Sequence, residues 1–438
     1  MRVTGSKRWV VLVLVSLVSG LMVFVPFLRY SYYDQMVIVF TQSFNAVDAG
    51  YVNEFIGDMG MGMGLVSMVG YLFGGVLADK FSERNLMFLG CAVMALASVW
   101  YAFVPGQLFL ILIHVLYGVG TVLIWSAYLK TARKMGTADE QGRMFSISEF
   151  IRAILGTAIG FFGSWILGMA IIGGSTDPAV LGSQWQIMLF VNAGLFIVLG
   201  ILILVIVPGK IIGNEVAEGD EGKGETFSLS FVKEVVKLPG TWLLAALVFF
   251  CFSFTSAGAG YLGAFTTDVL GVDPTTASNF AVIRNYIIAG LATLAIGFVA
   301  DKIGSKAKTL GIYLVLSTVA VVLLILTKNS FFVCVIVTFV FAIIYTGMRG
   351  IYFATLSEVG IPLKLTGCAT GIISVIGYLP DVYFAKMAGG WIDAFGTTGY
   401  DIVWIWAIVC GVLGIVTAFI TVRYSKKLAA RKEAEAEG

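Results

Sequence analysis

Charge is scarce in this chain. Asp, Glu, Lys and Arg make up 12% of the 438 residues, against about 25% in an ordinary soluble domain. What charge there is nearly cancels, with 28 basic and 26 acidic side chains and a net +2. That balance excludes a polyanionic partner such as nucleic acid. Histidine is rarer still: His114 stands alone. The five cysteines (Cys91, Cys251, Cys334, Cys368 and Cys410) lie in apolar stretches without CxxC spacing. They indicate neither a metal site nor a disulfide framework and read as small hydrophobes in helix packing. No GxxxxGK[ST] loop and no GxSxG elbow occurs, so ATP drive and serine-hydrolase chemistry are not expected, nor is any cofactor.

Apolar length is what the chain has in abundance. Hydrophobic residues make up 59% of it, in continuous runs of roughly 20, each able to cross a bilayer as a helix. A β-barrel needs short alternating segments instead. Twelve spans are predicted, near 9–39, 51–78, 86–104, 107–131, 144–172 and 185–207, then 241–268, 275–300, 308–327, 330–357, 365–392 and 398–423. The basic, apolar N-terminus has no small-residue cleavage site after it and reads as a retained first span. The expected organisation is a six-helix bundle over 1–207, a polar linker over 208–240 with a short surface helix at 228–237, a second bundle over 241–424, and a tail over 425–438 that is a solvated helix end or disordered. Lys and Arg gather in the loops on one side, from Arg2, Lys7 and Arg8 to Lys426 and Lys427, with Lys328 the exception. By the positive-inside rule both termini and the linker face the cytoplasm, in a plasma or inner membrane.

The halves repeat. "GGVLADKFSERN" at 74–85 aligns with "IGFVADKIGSKA" at 296–307, so Gly75 falls on Gly297 and Asp79 on Asp301, half a chain apart. Each copy lies in the basic loop after the second span of its half. A duplicated six-helix unit is the symmetry of transporters that rock two halves about a central site.

The repeated loop resembles the GxLaDrxGrr signature of the major facilitator superfamily, with Phe81-Ser82-Glu83 departing from its x-Gly-Arg. The resemblance extends over the whole chain and implies an all-α membrane protein of two pseudo-symmetric six-helix bundles, working by alternating access as a monomer. It implies a latch role for Asp79, Lys80, Arg84, Asp301 and Lys302. A weaker match, "IHVLYGVGTV", is similar to the superfamily's RxxQGxGaa in helix 4. There His114 replaces the usual arginine and Tyr117 the glutamine. The placement of Arg29 in "FLRYSYYDQM" is similar to the helix 1 arginine of the organophosphate:phosphate antiporter branch, although helix 7, "VFFCFSFTSAGAGYLGAF", lacks the arginine of that branch. "AYLKTARKMGTADEQGRMFSISE" and "MRGIYFATLSEVGIP" resemble a poorly characterised bacterial group near it.

Ionisable residues inside spans are costly and so are functional candidates. Arg29, among Tyr30, Tyr32 and Tyr33, is a candidate substrate contact together with Tyr30 and Tyr33. Arg284 lies about ten residues into helix 8, roughly 15 Å along it, and is a candidate for the second half's charge. Asp381 follows Pro380, where a kink is expected; it is a candidate for substrate or proton. His114, Asp34 and Glu149 are further proton-coupling candidates, His114 because imidazole switches near neutral pH. Glu149 and Arg152, at i,i+3, also suit an intrahelical pair. Arg152 and Arg349 read as gating residues, Arg349 with Glu358 or a neighbouring helix as partner. "GDMGMGMG" in helix 2 reads as close packing through glycines. An arginine near midplane favours an anion, so the leading expectation is a transporter of a small organic anion (carboxylate, sulfonate or phosphate ester), H⁺-coupled or exchanging. A transporter of a neutral polar solute such as a sugar or nucleoside is the alternative. A sensor or membrane enzyme fits poorly, because the linker is too short for an added domain.

Overall fold

A computed structural model describes residues 3, 5–44, 50–136, 140–172, 178–209, 211, 229–362 and 365–437; within the helices, the side chains of 71, 72, 74–79, 141, 142, 170–172, 178, 179, 229, 230, 432, 433 and 435–437 are left out. The described chain is helical throughout. Twelve spans can be followed. The first, α1, comprises Ser6–Met22, a 3₁₀ turn Val25–Tyr30, and Tyr33–Ser43. Then come α2 (Val52–Lys80), α3 (Glu83–Ala102), α4 (Gln107–Lys134), α5 (Gln141–Ile172) and α6 (Pro178–Ile206). The second half holds α7 (Pro239–Asp268), α8 (Pro274–Ile303), α9 (Lys306–Thr327), α10 (Phe331–Met348), α11 (Thr366–Phe395) and α12 (Thr397–Glu437). Ten of these are long and apolar enough to cross a membrane among the described residues. A short helix, Leu229–Lys237, precedes α7 and is bonded to its start: Thr241 Oγ1 donates to the Val235 carbonyl at 2.8 Å.

Several spans differ from what apolar length alone predicts. The first is broken because Pro26 withdraws a backbone donor in mid-membrane. Phe27 leaves helical geometry (φ −110°, ψ 27°), and the chain recovers when Tyr32 N donates to the Leu28 carbonyl at 2.8 Å. The tenth stops at Met348 rather than near 357, and turns occupy the residues beyond. The eleventh is interrupted at Tyr378–Leu379, ahead of Pro380. The twelfth runs on through the predicted tail to Glu437 as helix. The eighth carries a π segment, Ile283–Ile288. Irregular backbone at membrane depth survives only where protein or a polar cavity covers it, so these interruptions mark where the bundle departs from lipid-like packing.

The halves close on each other over the end of the bundle away from the Lys/Arg-rich loops. Glycines make that possible. A Cβ on Gly57 would collide with the Lys386 backbone, and one on Gly389 would collide with the Asn53 carbonyl. Along α5 and α8, Gly156 faces Tyr286 and Gly160 faces Val282 in the same way. In "GDMGMGMG", Gly57 and Gly64 admit α11, Gly62 admits α4, and Gly60 lies against Arg29.

Candidate functional site

The interruptions converge on one place. Arg29 and Tyr30 sit on the 3₁₀ turn of α1, and Asp381 opens the second part of α11. Asn285 lies in the π segment of α8, and Arg349 follows the end of α10. Tyr30 joins the halves here. Its hydroxyl receives Arg29 Nη2 and donates to Asp381 Oδ1, both at 3.4 Å, while its carbonyl accepts Asn285 Nδ2 at 2.9 Å. Ser256 of α7 donates to the same Asp381 oxygen at 3.2 Å. Tyr345 of α10 donates to Asn285 Oδ1 at 3.4 Å. The Arg29 guanidinium lies 4.9 Å from the centre of the Tyr30 ring and within electrostatic reach of Asp381. Arg29 is buried, whereas Arg349 is exposed yet within electrostatic reach of Tyr30, Tyr378 and Asp381. A cation, a carboxylate and several hydroxyl and amide groups from five helices thus face one another at mid-depth. The Asp381 contacts are long, so a competing ligand displaces them at little cost.

Tyr33 packs with its ring tilted, centroids 5.7 Å apart, on Tyr261, whose hydroxyl donates to the Ala385 carbonyl at 2.8 Å. Through Tyr261 it is tied to α11, and both tyrosines lie within electrostatic reach of Arg29. Arg284 stands apart from the Arg29 cluster. It is buried against α10, with Nη1 donating to Thr338 Oγ1 at 3.3 Å and the Phe339 ring at 5.6 Å. His114 packs edge-on to Tyr101 at 5.4 Å and to Tyr117 at 5.5 Å. Asp34 accepts the Thr267 hydroxyl at 2.7 Å at the closed end.

Glu149 and Arg152 form the expected i,i+3 ion pair, and Arg152 also lies over Trp125 and Tyr128. Glu358 is not the partner of Arg349. It caps α9 instead, accepting Lys306 N at 2.5 Å, Ala307 N at 3.1 Å and Ser305 Oγ at 3.0 Å. In the repeated loops, the Asp79 side chain lies outside the described residues. Lys80 is exposed, and Arg84 Nε reaches Asn85 Oδ1 at 3.4 Å. Asp301 is exposed with Lys306 at 3.7 Å, and Lys302 is exposed. The residue that departs from the family pattern, Glu83, is buried and pairs with Lys134 and Lys130 of α4.

Sequence reasoning missed the polar clasp of the closed end. Lys386 of α11 pairs with Asp58 at 2.7 Å and Glu54 at 3.5 Å on α2. Asp393 accepts the backbone amides of Asn53 (3.3 Å) and Glu54 (2.7 Å), which have no intrahelical acceptor at the start of α2. Gln35 reaches Ser278 at 3.0 Å and the Pro274 carbonyl at 3.2 Å. The charges were visible in the spans; that Lys386 and Asp58 face each other was not, because they lie 328 residues apart.

A bundle of duplicated six-helix halves around a mid-membrane polar cluster is the architecture of a secondary transporter. A family model for the Major Facilitator Superfamily matches residues 21–385, and the chain belongs to that superfamily; it is a transporter rather than an enzyme. It is 25% identical over 433 residues to the inner membrane protein YqcE of Escherichia coli, with 97% of each chain covered. It is 26% identical to the inner membrane protein YihN of the same organism, with 98% of each covered. Among solved structures, a bacterial homologue of the human lysosomal transporter Spinster, inward-facing and unoccupied, superimposes with a TM-score of 0.73 at 16% identity. The match covers 97% of this chain and 98% of that one. A D-xylose–proton symporter also gives 0.73, at 15% identity, covering 95% and 98%. At these identities the structures show a shared fold.

Proposed function

We propose that this protein moves a small organic anion, a carboxylate, sulfonate or phosphate ester, across the inner membrane together with a proton. The observation that carries this is the Arg29–Tyr30–Asp381 cluster, in which a cation from one half faces a carboxylate from the other through a shared tyrosine. Without substrate, Asp381 balances Arg29. A proton taken up by Asp381 leaves the Arg29 charge uncompensated, and an anion then restores neutrality with a planar, two-pronged contact. Proton and anion therefore enter the site as a pair, and neither charge crosses the low-dielectric interior alone. Arg349 supplies a second positive group from the other half. Asn285 and Ser256 offer hydrogen bonds to the uncharged part of the substrate. Closure at the end opposite the basic loops corresponds, by the positive-inside rule, to an inward-facing state.

A neutral polar solute is the second reading. The observation favouring it is that Tyr30 already bridges Arg29 and Asp381 while Tyr345, Asn285 and Ser256 stand around them as hydroxyl and amide groups. Thermal stability in detergent separates the two, because a ligand that binds the folded state raises the melting temperature with its concentration. The panel is sugar phosphates, sulfonates, uronates and other carboxylates, sugars and nucleosides. Anion-only stabilisation that is lost in Arg29→Ala is the expected result. Stabilisation by neutral solutes, unchanged in Arg29→Ala, overturns the anion reading.

A further inference from the structure

Against Arg29, among residues of α1 to α4, lies a small cavity of about 10 Å³. That is room for one water molecule. Ile56, Met59 and Gly60 wall it on one side, and its polar lining is Arg29, Tyr101 and His114. Two of these have unused hydrogen-bonding capacity. The Tyr101 hydroxyl is fully buried and has no partner among the described residues. His114 has its Nδ1 2.9 Å from the Leu110 carbonyl, which accepts only, so Nδ1 carries the hydrogen. Nε2 is then a bare acceptor on a ring that lines the cavity. Buried polar atoms in native proteins are paired, with protein or with ordered water.

We infer that one buried water joins Tyr101 Oη, His114 Nε2 and the Arg29 guanidinium, and that His114 is a neutral positioning residue for Arg29. The water has the two to four polar partners that a buried water requires. A guanidinium donates only, and His114 as a neutral Nδ1–H imidazole has an acceptor left; the water, both donor and acceptor, connects them. A protonated imidazole would present a second cation to Arg29 and no acceptor to the water. The groups facing the ring are Arg29 from α1, Tyr101 from α3 and Tyr117 from its own helix, and none of these is an anion. The arrangement fixes Arg29, so that its remaining donors point to Tyr30 and Asp381. The inference rests on the proposed function only for what Arg29 then binds.

The single histidine makes the test direct. Protein labelled with ¹⁵N-histidine and reconstituted in lipid gives one imidazole pattern in magic-angle-spinning NMR. The expected result is a protonated Nδ1, an unprotonated Nε2 shifted upfield by hydrogen bonding, and magnetisation transfer from water protons to Nε2 in the unsubstituted protein. Arg29→Lys and Tyr101→Phe should each move the Nε2 resonance, and Arg284→Lys, a change at a buried arginine elsewhere, should leave it in place. A hydrogen on Nε2 at neutral pH, an Nε2 without transfer from water, or a resonance indifferent to Arg29→Lys overturns the inference. No substrate enters these measurements, so they fail or succeed apart from the ligand panel.

Discussion

Arg29 and Asp381 were visible in the sequence as charges in spans that should hold none, and they meet in the fold. Arg284, singled out on the same ground and at the right depth, does not join them; depth is set by position along the helix, but facing is set by the π segment that turns it onto α10. Its neighbour Asn285, uncharged and unremarkable in the sequence, reaches the cluster instead. The consequence for coupling lies with Asp381. Asp381→Asn mimics the protonated carboxyl and leaves Ser256 and Tyr30 near their places. It should retain anion binding and exchange of anion for anion while losing accumulation driven by a pH gradient. Measuring both modes in proteoliposomes checks this, and loss of exchange together with accumulation would remove Asp381 from the proton path. Glu83 makes a related point. As a departure from the signature it carried no expectation, yet it is the carboxylate found buried against two lysines of α4.

At the scale of elements, hydrophobic length gave twelve spans, and it misjudged them where proline or a π segment interrupts the ladder. Pro26 and Pro380 were legible as local signals; the stop at Met348 and the π segment were not, since no proline or charge run marks them. Those same interruptions carry the site, as is usual where discontinuous helices bind polar cargo. The regular parts are held by caps and close contacts that can be tested singly. Glu358 takes two free amides and the Ser305 hydroxyl at the start of α9, so Glu358→Ala should cost about 1–2 kcal/mol. A lowered melting temperature with the anion response intact is the expected reading. Gly57 and Gly389 act differently, because a methyl on either meets backbone on the opposite half. Gly57→Ala and Gly389→Ala should hold the closed end apart without unfolding either bundle. Thiol labelling of a cysteine placed at Val382, buried beside Gly64 in the closed state, should then become faster than in the parent protein.

For the whole molecule the question is what balances the two arrangements of the halves. Closure at one end rests on the Lys386–Asp58–Glu54 group, the Asp393 contacts to α2 and the buried Gln35 contacts to α8, all between halves, with the Lys386 group partly open to water. Exposed ion pairs contribute modestly, on the order of 1 kcal/mol or less. An equilibrium that must reverse in every transport cycle is better served by such contacts than by a deep one, since each kilocalorie shifts the populations about fivefold. Lys386→Asp places three carboxylates together and should move the population toward separation at that end. Asp58→Lys alone sets two lysines side by side and should act in the same direction. The double exchange, Lys386→Asp with Asp58→Lys, restores the pair in reversed order and should recover closure. Distances between spin labels on the outer ends of α2 and α11, measured by pulsed EPR in lipid, read this directly. Longer distances in both single variants and a return in the double variant are expected. Equal distances in all four proteins would mean that glycine packing, rather than this ion pair, holds the end shut.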